Sequence, residues 1–339
     1  MKLLLHIGIP KTGSTSIQGY LAKESDTLEK NSIIYPEAAH AEFGGSRILD
    51  AIREPETAGR DDRESIDRHL AKIAKTHTDP KVIISSEYLI NIYRHCDLLK
   101  EFLDAHFEGA KIIMYVREPC AFYKSIILQA LKAEAVFPAP DKFKHEYRAS
   151  IEHIERHFPD CLNLRIFNRE RLLQGNIVYD FVKSFLPEQD IEASEFSEAS
   201  LNVTPAPETL YLMQRYFRQN HRDEPRQFRR EAWALFHIFN HTARLEGLPT
   251  ESNLKPGIRE LIISRHSDDL IWMKEQKDIR FSGIEYERIS DLATATNDDD
   301  FQSLSDVMEI NFDAAEKVLQ RSLQNLAMRT KDQILKTPG

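Results

Sequence analysis

The sequence is short of several things, and each shortage removes a class of protein. Only three of its 339 residues are cysteine, Cys96, Cys120 and Cys161. An odd number at wide spacing excludes a disulfide-stapled scaffold and predicts free thiols in a reducing, cytoplasmic setting. No run of apolar residues approaches the roughly 20 needed to cross a bilayer. The apolar stretch near the start, Leu3 to Ile9, is interrupted by His6 and closed by Pro10, and is too short for a secretory signal core. An excess of basic residues is missing too: the formal charge is −9, which argues against nucleic acid as the main partner and mildly against a polyanionic acceptor. What remains, 41% apolar and 29% charged residues, can bury a substantial core as one large domain or two modest ones.

Hydrophobic patterning then divides the chain. Lys2 to Ile9 reads as a buried strand, Pro10 to Thr15 as a tight loop, and Ser16 onward as a helix with Ile17, Tyr20 and Leu21 on one face. Further strands are predicted at Ser32 to Tyr35, Val82 to Ser85, Ala110 to Val116 and Leu162 to Phe167. Helices fall between them, one beginning near Asp61-Asp62, one opened by Pro119, and one from Ile177 to Phe185. Regular alternation of strand and helix predicts an α/β fold with a parallel β-sheet flanked by helices. Residues 1–190 form this core, 191–208 a linker loop, and 209–339 a helical C-terminal region that shapes an acceptor cleft. Within that region helices are expected at Leu210 to Phe217, Ala232 to Leu245, Ile258 to Met273, and along Ala315, Val318, Leu319, Leu323 and Leu326.

The first turn carries the chemistry. Gly8 and Gly13 stand four residues apart and Ser14-Thr15 follows, the spacing of a phosphate loop between a strand and a helix. The lysine that normally follows the second glycine is absent, because Ser14 holds that place and Lys11 lies in mid-loop. Backbone N–H groups and the positive end of the next helix still make an anion site. A second cation, Arg117, ends the fourth strand, and Ser125 follows eight residues later in the helix opened by Pro119. Arginine offers a permanently charged, planar donor set suited to phosphate. The two phosphate groups are expected about a nucleoside's length apart. Neither of the strands ending in Ser-Ser-Glu and Val-Arg supplies the aspartate that holds magnesium in nucleoside-triphosphate enzymes.

The stretch His6-Ile7-Gly8-Ile9-Pro10-Lys11-Thr12-Gly13-Ser14-Thr15-Ser16-Ile17-Gln18 resembles the 5′-phosphosulfate loop of sulfotransferases that use 3′-phosphoadenosine 5′-phosphosulfate (PAPS), where the lysine has this same mid-loop position. Tyr115-Val116-Arg117-Glu118-Pro119 through Ser125 resembles that family's 3′-phosphate motif, and Leu201 to Pro205 is similar to a segment of bacterial members. The resemblance covers roughly the first 190 residues and implies a P-loop NTPase-like fold. It also implies that Lys11, Thr12, Gly13, Ser14, Thr15 and Ser16 hold the 5′-phosphosulfate and that Arg117 and Ser125 hold the 3′-phosphate. Transfer then needs no metal: an acceptor hydroxyl or amine, on a carbohydrate or glycolipid, attacks sulfur in line, Lys11 supports charge on the leaving phosphate, and 3′,5′-bisphosphoadenosine (PAP) is released. Glu87, after the third strand, is the first candidate for the base, with Glu37 and His40 as rivals.

Two other readings stand beside this one: a P-loop kinase using magnesium ATP, and a catalytically silent nucleotide-binding module. His153 with His157 and His237 with His241 are spaced i, i+4 but lack a third ligand, so packing or surface roles are expected for them. The basic run Arg226 to Arg230 is read as a charged helix face. The sequence leaves acceptor identity and oligomeric state open.

Overall fold

The computed structural model describes residues 1–189, 204–221, 224, 226–250, 253–291 and 301–334. Five strands form one all-parallel sheet: β1 Lys2–Ile7, β2 Ile33–Ile34, β3 Lys81–Ser86, β4 Gly109–Val116 and β5 Leu162–Ile166. Their order is β2-β3-β1-β4-β5. The register pairs Ile7 with Ser86 across β1 and β3, and His6 with Ile113 across β1 and β4. The fold class read from the sequence is the one observed, an α/β fold with a helical extension. Because β1 sends the chain toward β2 while β3 sends it across β1 to β4, β1 ends at a switch point, the crevice where open α/β sheets bind ligands.

The helices follow in chain order: α1 Ser14–Lys23, α2 Ser25–Lys30, α3 Gly45–Arg53, α4 Arg60–Thr76, α5 Cys96–His106, α6 Pro119–Ala130, α7 Tyr147–His157, α8 Ile177–Phe185, α9 Pro207–Asn220, α10 Arg230–Leu245, α11 Pro256–Arg265, α12 Ser267–Lys277, α13 Leu304–Val307 and α14 Phe312–Ile334. Among the described residues no helix is long and apolar enough to cross a membrane. The chain forms two compact units. The first comprises Met1–Glu118, the described part of Glu146–Ala199, and Asp269–Ile284; the second comprises Pro119–His145 and the described parts of Ser200–Asp268 and Glu285–Gly339.

In the first unit, β1, β3 and β4 are near-continuous apolar runs because helices cover both faces of the sheet. Ile17 and Leu21 of α1 and Phe181, Val182 and Phe185 of α8 pack on Leu4, Ile113 and Tyr115. One buried acid organises this layer. Asp180 accepts from Tyr115 Oη at 2.7 Å, from Arg165 Nε and Nη2 at 2.7 and 2.6 Å, and from Leu173 N at 3.0 Å. Four donors satisfy a carboxylate that would otherwise be costly to bury. His6 is fully buried, with Nδ1 2.8 Å from Ser85 Oγ and the rings of Tyr115 and Phe181 edge-on. Burial alone drives its pKa down to about 4, so the ring is neutral.

In the second unit, α9, α10 and α14 pack on one another. The buried Gln214 uses its whole amide: Nε2 donates to Ala135 O and Gln302 O, both at 2.9 Å, and Oε1 accepts from Leu304 N at 2.8 Å. The helix expected over Ile258 to Met273 is two helices. His266 separates them, its Nδ1 donating to Ile262 O at 2.7 Å and its Nε2 accepting from His145 N at 2.9 Å. A ring that satisfies the last turn of α11 ends that helix better than another helical residue would.

Other boundaries shift for local reasons. α1 starts at Ser14, not Ser16, because Gly13 has φ +83° and turns directly into the helix. β2 keeps only Ile33–Ile34 of the four residues expected. α4 begins at Arg60 behind Gly59, placing Asp61 and Asp62 in its first turn instead of at the cap, where their charge favours the helix N-terminus. The segment between β2 and α3 contains two 3₁₀ turns, Pro36–Ala38 and Ala41–Phe43. Most of the expected linker and the Leu201–Val203 part of the bacterial-type segment lie outside the described residues.

Candidate functional site

The loop between β1 and α1 is built on close approach. A Cβ on Gly8 would overlap the hydroxyl of Ser14, and its next neighbour would be Glu87 Cα at 3.6 Å. At Gly13 a Cβ would press on Ile177 at 3.0 Å and Phe167 at 3.2 Å, from a backbone with φ +83°. Lys11 also takes a left-handed φ, +70°, without being glycine. Non-glycine residues there cost of order 1 kcal/mol or more and are concentrated at functional turns. Thr12 is fully buried and donates from Oγ1 to Ile9 O at 2.7 Å, so its hydroxyl braces the loop itself.

What faces outward from this brace is rich in donors. No side chain caps α1, which leaves its first amides available to an acceptor from outside. Thr15 and Ser16 are exposed at its start. Ser14 Oγ is buried with no hydrogen-bond partner, an exception to the usual pairing of buried polar atoms. α1 and the end of β3 are pinned together by Gln18 Nε2, which donates to Ser85 O at 3.0 Å. Ser86 Oγ in turn donates to Gly45 O at 2.7 Å and accepts from Tyr88 N at 3.2 Å. Those bonds fix the backbone on both sides of Glu87.

Two cations converge on this loop. Arg117 follows β4, donates from Nη1 to Lys11 O at 2.7 Å, and lies over the Phe167 ring at 5.4 Å from its centroid. Tyr147 Oη donates to Arg117 O at 2.6 Å and fixes the backbone beneath it. Burial holds the guanidinium below its ordinary range, with Glu118 and Tyr147 opposing. Among the described residues no carboxylate lies at ion-pair distance from Arg117. Lys11 is likewise lowered, first by burial and then by Arg117, while Glu87 raises it. Two part-buried cations, one of which opposes the other's charge, make a place where an anion is favoured.

The structure thus brings Lys11, Gly13, Ser14, Glu87 and Arg117 together around one turn. It differs from expectation in one respect: Arg117 reaches the loop's own carbonyl and is not a nucleoside's length from the loop. Ser125, on α6, belongs to the second unit, whereas Arg117 belongs to the first. Ser125 is half-buried.

The rival bases are separated by their surroundings. Glu37 lies in the 3₁₀ turn that packs against α1 and β3, accepts a hydrogen bond from Tyr35 Oη, and would collide with any side chain at position 44. Burial pushes its carboxyl up, opposed by the Tyr35 bond. Glu87 is half-buried and sits in the field of Lys11. His40 is engaged with His69, its ring centroid 3.5 Å away, and with the nearby Glu42.

The i, i+4 histidines take local roles. His153 Nδ1 bonds Ala149 O at 2.7 Å, and His157 Nδ1 bonds His153 O at 2.8 Å, while His157 Nε2 lies 3.1 Å from Asp97. His237 sits edge-on to Trp233 at 4.6 Å. Arg226 pairs with Glu134 at 3.4 Å, and Arg229 pairs with Glu224. One cluster escaped the sequence reading: His40, Glu42 and His69 place a ligand atom each within 4.8 Å of one another. Its signal is His-x-Glu followed by a histidine 27 residues later, which only the packing of α4 on the 3₁₀ turn reveals. The chain matches no protein-family model, and no curated protein matches it.

Proposed function

We propose that the chain is a sulfotransferase that uses PAPS and modifies a hydroxyl or amine of a carbohydrate or glycolipid, without a metal in the transfer step. The observation that carries the reading is the part-buried guanidinium of Arg117, with no carboxylate at ion-pair distance among the described residues, bonded to the carbonyl of a mid-loop lysine. The residues present suit a phosphate-bearing ligand, since Ser14 Oγ is buried without a partner and the α1 amides lack a cap. PAPS, when bound, supplies the sulfuryl group and the leaving phosphate. Lys11, Gly13 and the start of α1 would hold the 5′ end, with Thr12 bracing the turn and Ser14, Thr15 and Ser16 supplying hydroxyls. Arg117 keeps four further N–H donors for the ligand after its bond to Lys11 O. Ser125 is assigned to the 3′-phosphate on the resemblance alone. Glu87 would take the acceptor's proton, with Glu37 as the second candidate.

A phosphotransferase reading has one specific observation in its favour. Arg117 bonded to the loop is also suited to a single polyphosphate lying along that loop. The silent nucleotide-binding module remains distinct from both by lacking turnover. The test is ligand-induced thermal stabilisation of the whole chain with PAP without metal, against magnesium ATP, repeated on Arg117→Ala and Lys11→Ala. Stabilisation by PAP that both variants lose supports the sulfotransferase. Stabilisation by magnesium ATP alone, with PAP inert, overturns it.

A further inference from the structure

The packing of α4 against the 3₁₀ turn Ala41–Phe43 assembles three metal-ligand side chains that the proposed transfer chemistry does not use. His40 precedes the turn in extended backbone, Glu42 lies within it, and His69 projects from α4. The rings of His40 and His69 stack with centroids 3.5 Å apart and planes 29° from parallel. Glu42 is buried, and its Oε1 lies 3.2 Å from His69 Nδ1. Ser65, one turn before His69 on the same helix, donates to that oxygen at 2.7 Å. The His40 backbone is bonded, N to Pro36 O at 2.9 Å and O from Phe43 N at 3.1 Å, while its ring makes no hydrogen bond to any described residue. Among the described residues this is the one group of three such side chains whose ligand atoms all fall within 4.8 Å of one another.

We propose that His40, Glu42 and His69 form a divalent transition-metal site that ties the segment after β2 to α4. Two imidazoles and one carboxylate are a donor set for zinc, cobalt, nickel or copper, not for magnesium or calcium, which take oxygen ligands. At bond lengths of about 2.0 Å, donors around a tetrahedral ion stand about 3.3 Å apart, so separations of up to 4.8 Å call for a closure of at most about 1.5 Å. His40 and His69 are both part-exposed, so side-chain rotation is the movement that would close it. Ser65 supplies the outer hydrogen bond that ligating carboxylates need to hold their orientation. With three protein ligands, a fourth position stays open to water. The same turn leads into α3, whose Gly45 O receives Ser86 Oγ beside Glu87. Occupancy therefore stiffens the segment that carries Glu37. Lys72 acts on His40 electrostatically and weakens cation binding.

The test uses the untagged full chain, stripped with chelator and titrated with Co²⁺ followed by visible absorption, then with Zn²⁺ in competition and by calorimetry. The expected result is one equivalent per chain, an intense low-symmetry Co²⁺ spectrum, and no comparable binding of Mg²⁺ or Ca²⁺. His40→Ala and His69→Ala should each weaken Zn²⁺ at least tenfold with far-UV circular dichroism unchanged. His153→Ala should change nothing, and Lys72→Ala should tighten binding a few-fold. Glu42→Gln, which keeps the shape of the buried side chain, provides a variant that removes a ligand charge without emptying the site. Absence of saturable binding, or binding unaltered by both histidine variants, overturns the proposal.

Discussion

Replacing Arg117 by methionine separates a residue kept for a ligand from one kept for the fold. Without ligand, the variant loses a charge-assisted hydrogen bond to Lys11 O, worth about 1.5–3 kcal/mol, and a ring contact with Phe167, worth about 0.5–2 kcal/mol. It also removes a part-buried guanidinium with no carboxylate at ion-pair distance among the described residues, whose desolvation costs about 2 kcal/mol or more. Methionine retains most of the apolar stem. These contributions nearly cancel, and the ligand-free chain should change by no more than about 1 kcal/mol.

With ligand the balance is different. At PAP one hundred times its dissociation constant, the native chain gains about 2.7 kcal/mol. Losing one charge-assisted contact of about 1.5–3 kcal/mol weakens binding roughly 10- to 150-fold. At the same PAP concentration the variant then gains only about 0.3–1.4 kcal/mol. Urea titrations with and without PAP measure both quantities on one sample. A ligand-free loss above about 3 kcal/mol with the PAP gain intact would refute the reasoning, because Arg117 would then be structural.

The loop's geometry predicts that Gly13→Ala destabilises the chain by about 1–3 kcal/mol, since it adds left-handed strain to contacts of 3.0 Å on Ile177; Gly19→Ala, with open space around it, should stabilise α1 slightly in the same denaturation experiment. The buried neutral His6 makes the first unit acid-sensitive. Its folded pKa is lowered to about 4 from 6.5, so the unfolded state takes up the proton first as pH falls. The stability it lends is complete above about 6.5 and is lost between 6.5 and 4, to the extent of about 3 kcal/mol. His266 gives the second unit the same sign over the same window. Unfolding free energies at pH 7 and 4.5 for His6→Asn should show a smaller acid loss than the native chain, and an unchanged loss would remove His6 as the cause.

The parts of this molecule legible in the sequence are those set by short-range pattern. β1, β3 and β4 announce themselves as buried apolar runs, and the loop announces itself by two glycines and a displaced lysine, since only glycine fits beside Ser14 and at φ +83°. β2 was legible as a strand but not in its length, because its end depends on pairing with Lys81 and Val82. The break at His266 was illegible because it depends on a backbone N–H from His145, far away in sequence. The partition of the chain was hidden for the same reason: Asp269–Ile284 returns to the first unit through contacts such as Tyr147 N to Asp269 Oδ2 at 3.0 Å. Arg117 was readable as a phosphate-binding type of residue, but its bond to Lys11 O was not. The cluster of His40, Glu42 and His69 is invisible at any fixed spacing, since a helix packed on a turn creates it.

On the proposed function Glu87 carries two roles that one substitution can part. Its charge supports that of Lys11, whose ammonium burial and Arg117 both oppose. On the proposed reading, a phosphate at the loop takes over as counter-charge to Lys11 and releases Glu87 to accept a proton from the acceptor. Ligand binding and availability of the base are then coupled through one lysine. Glu87→Gln removes a negative charge beside the anion site, so PAP should bind a few-fold tighter, by roughly 1 kcal/mol for a part-buried charge. The same variant should lose transfer by at least 10²-fold, the usual contribution of a positioned general base. PAP affinity by calorimetry and PAP release from PAPS by chromatography report the two effects separately. Tighter PAP with unchanged turnover would leave Glu87 as counter-ion only and pass the base to Glu37, whose carboxyl is already pushed up by burial. Weaker PAP would break the coupling argument, because a carboxylate that helps to bind an anion must act through the fold and not through its charge.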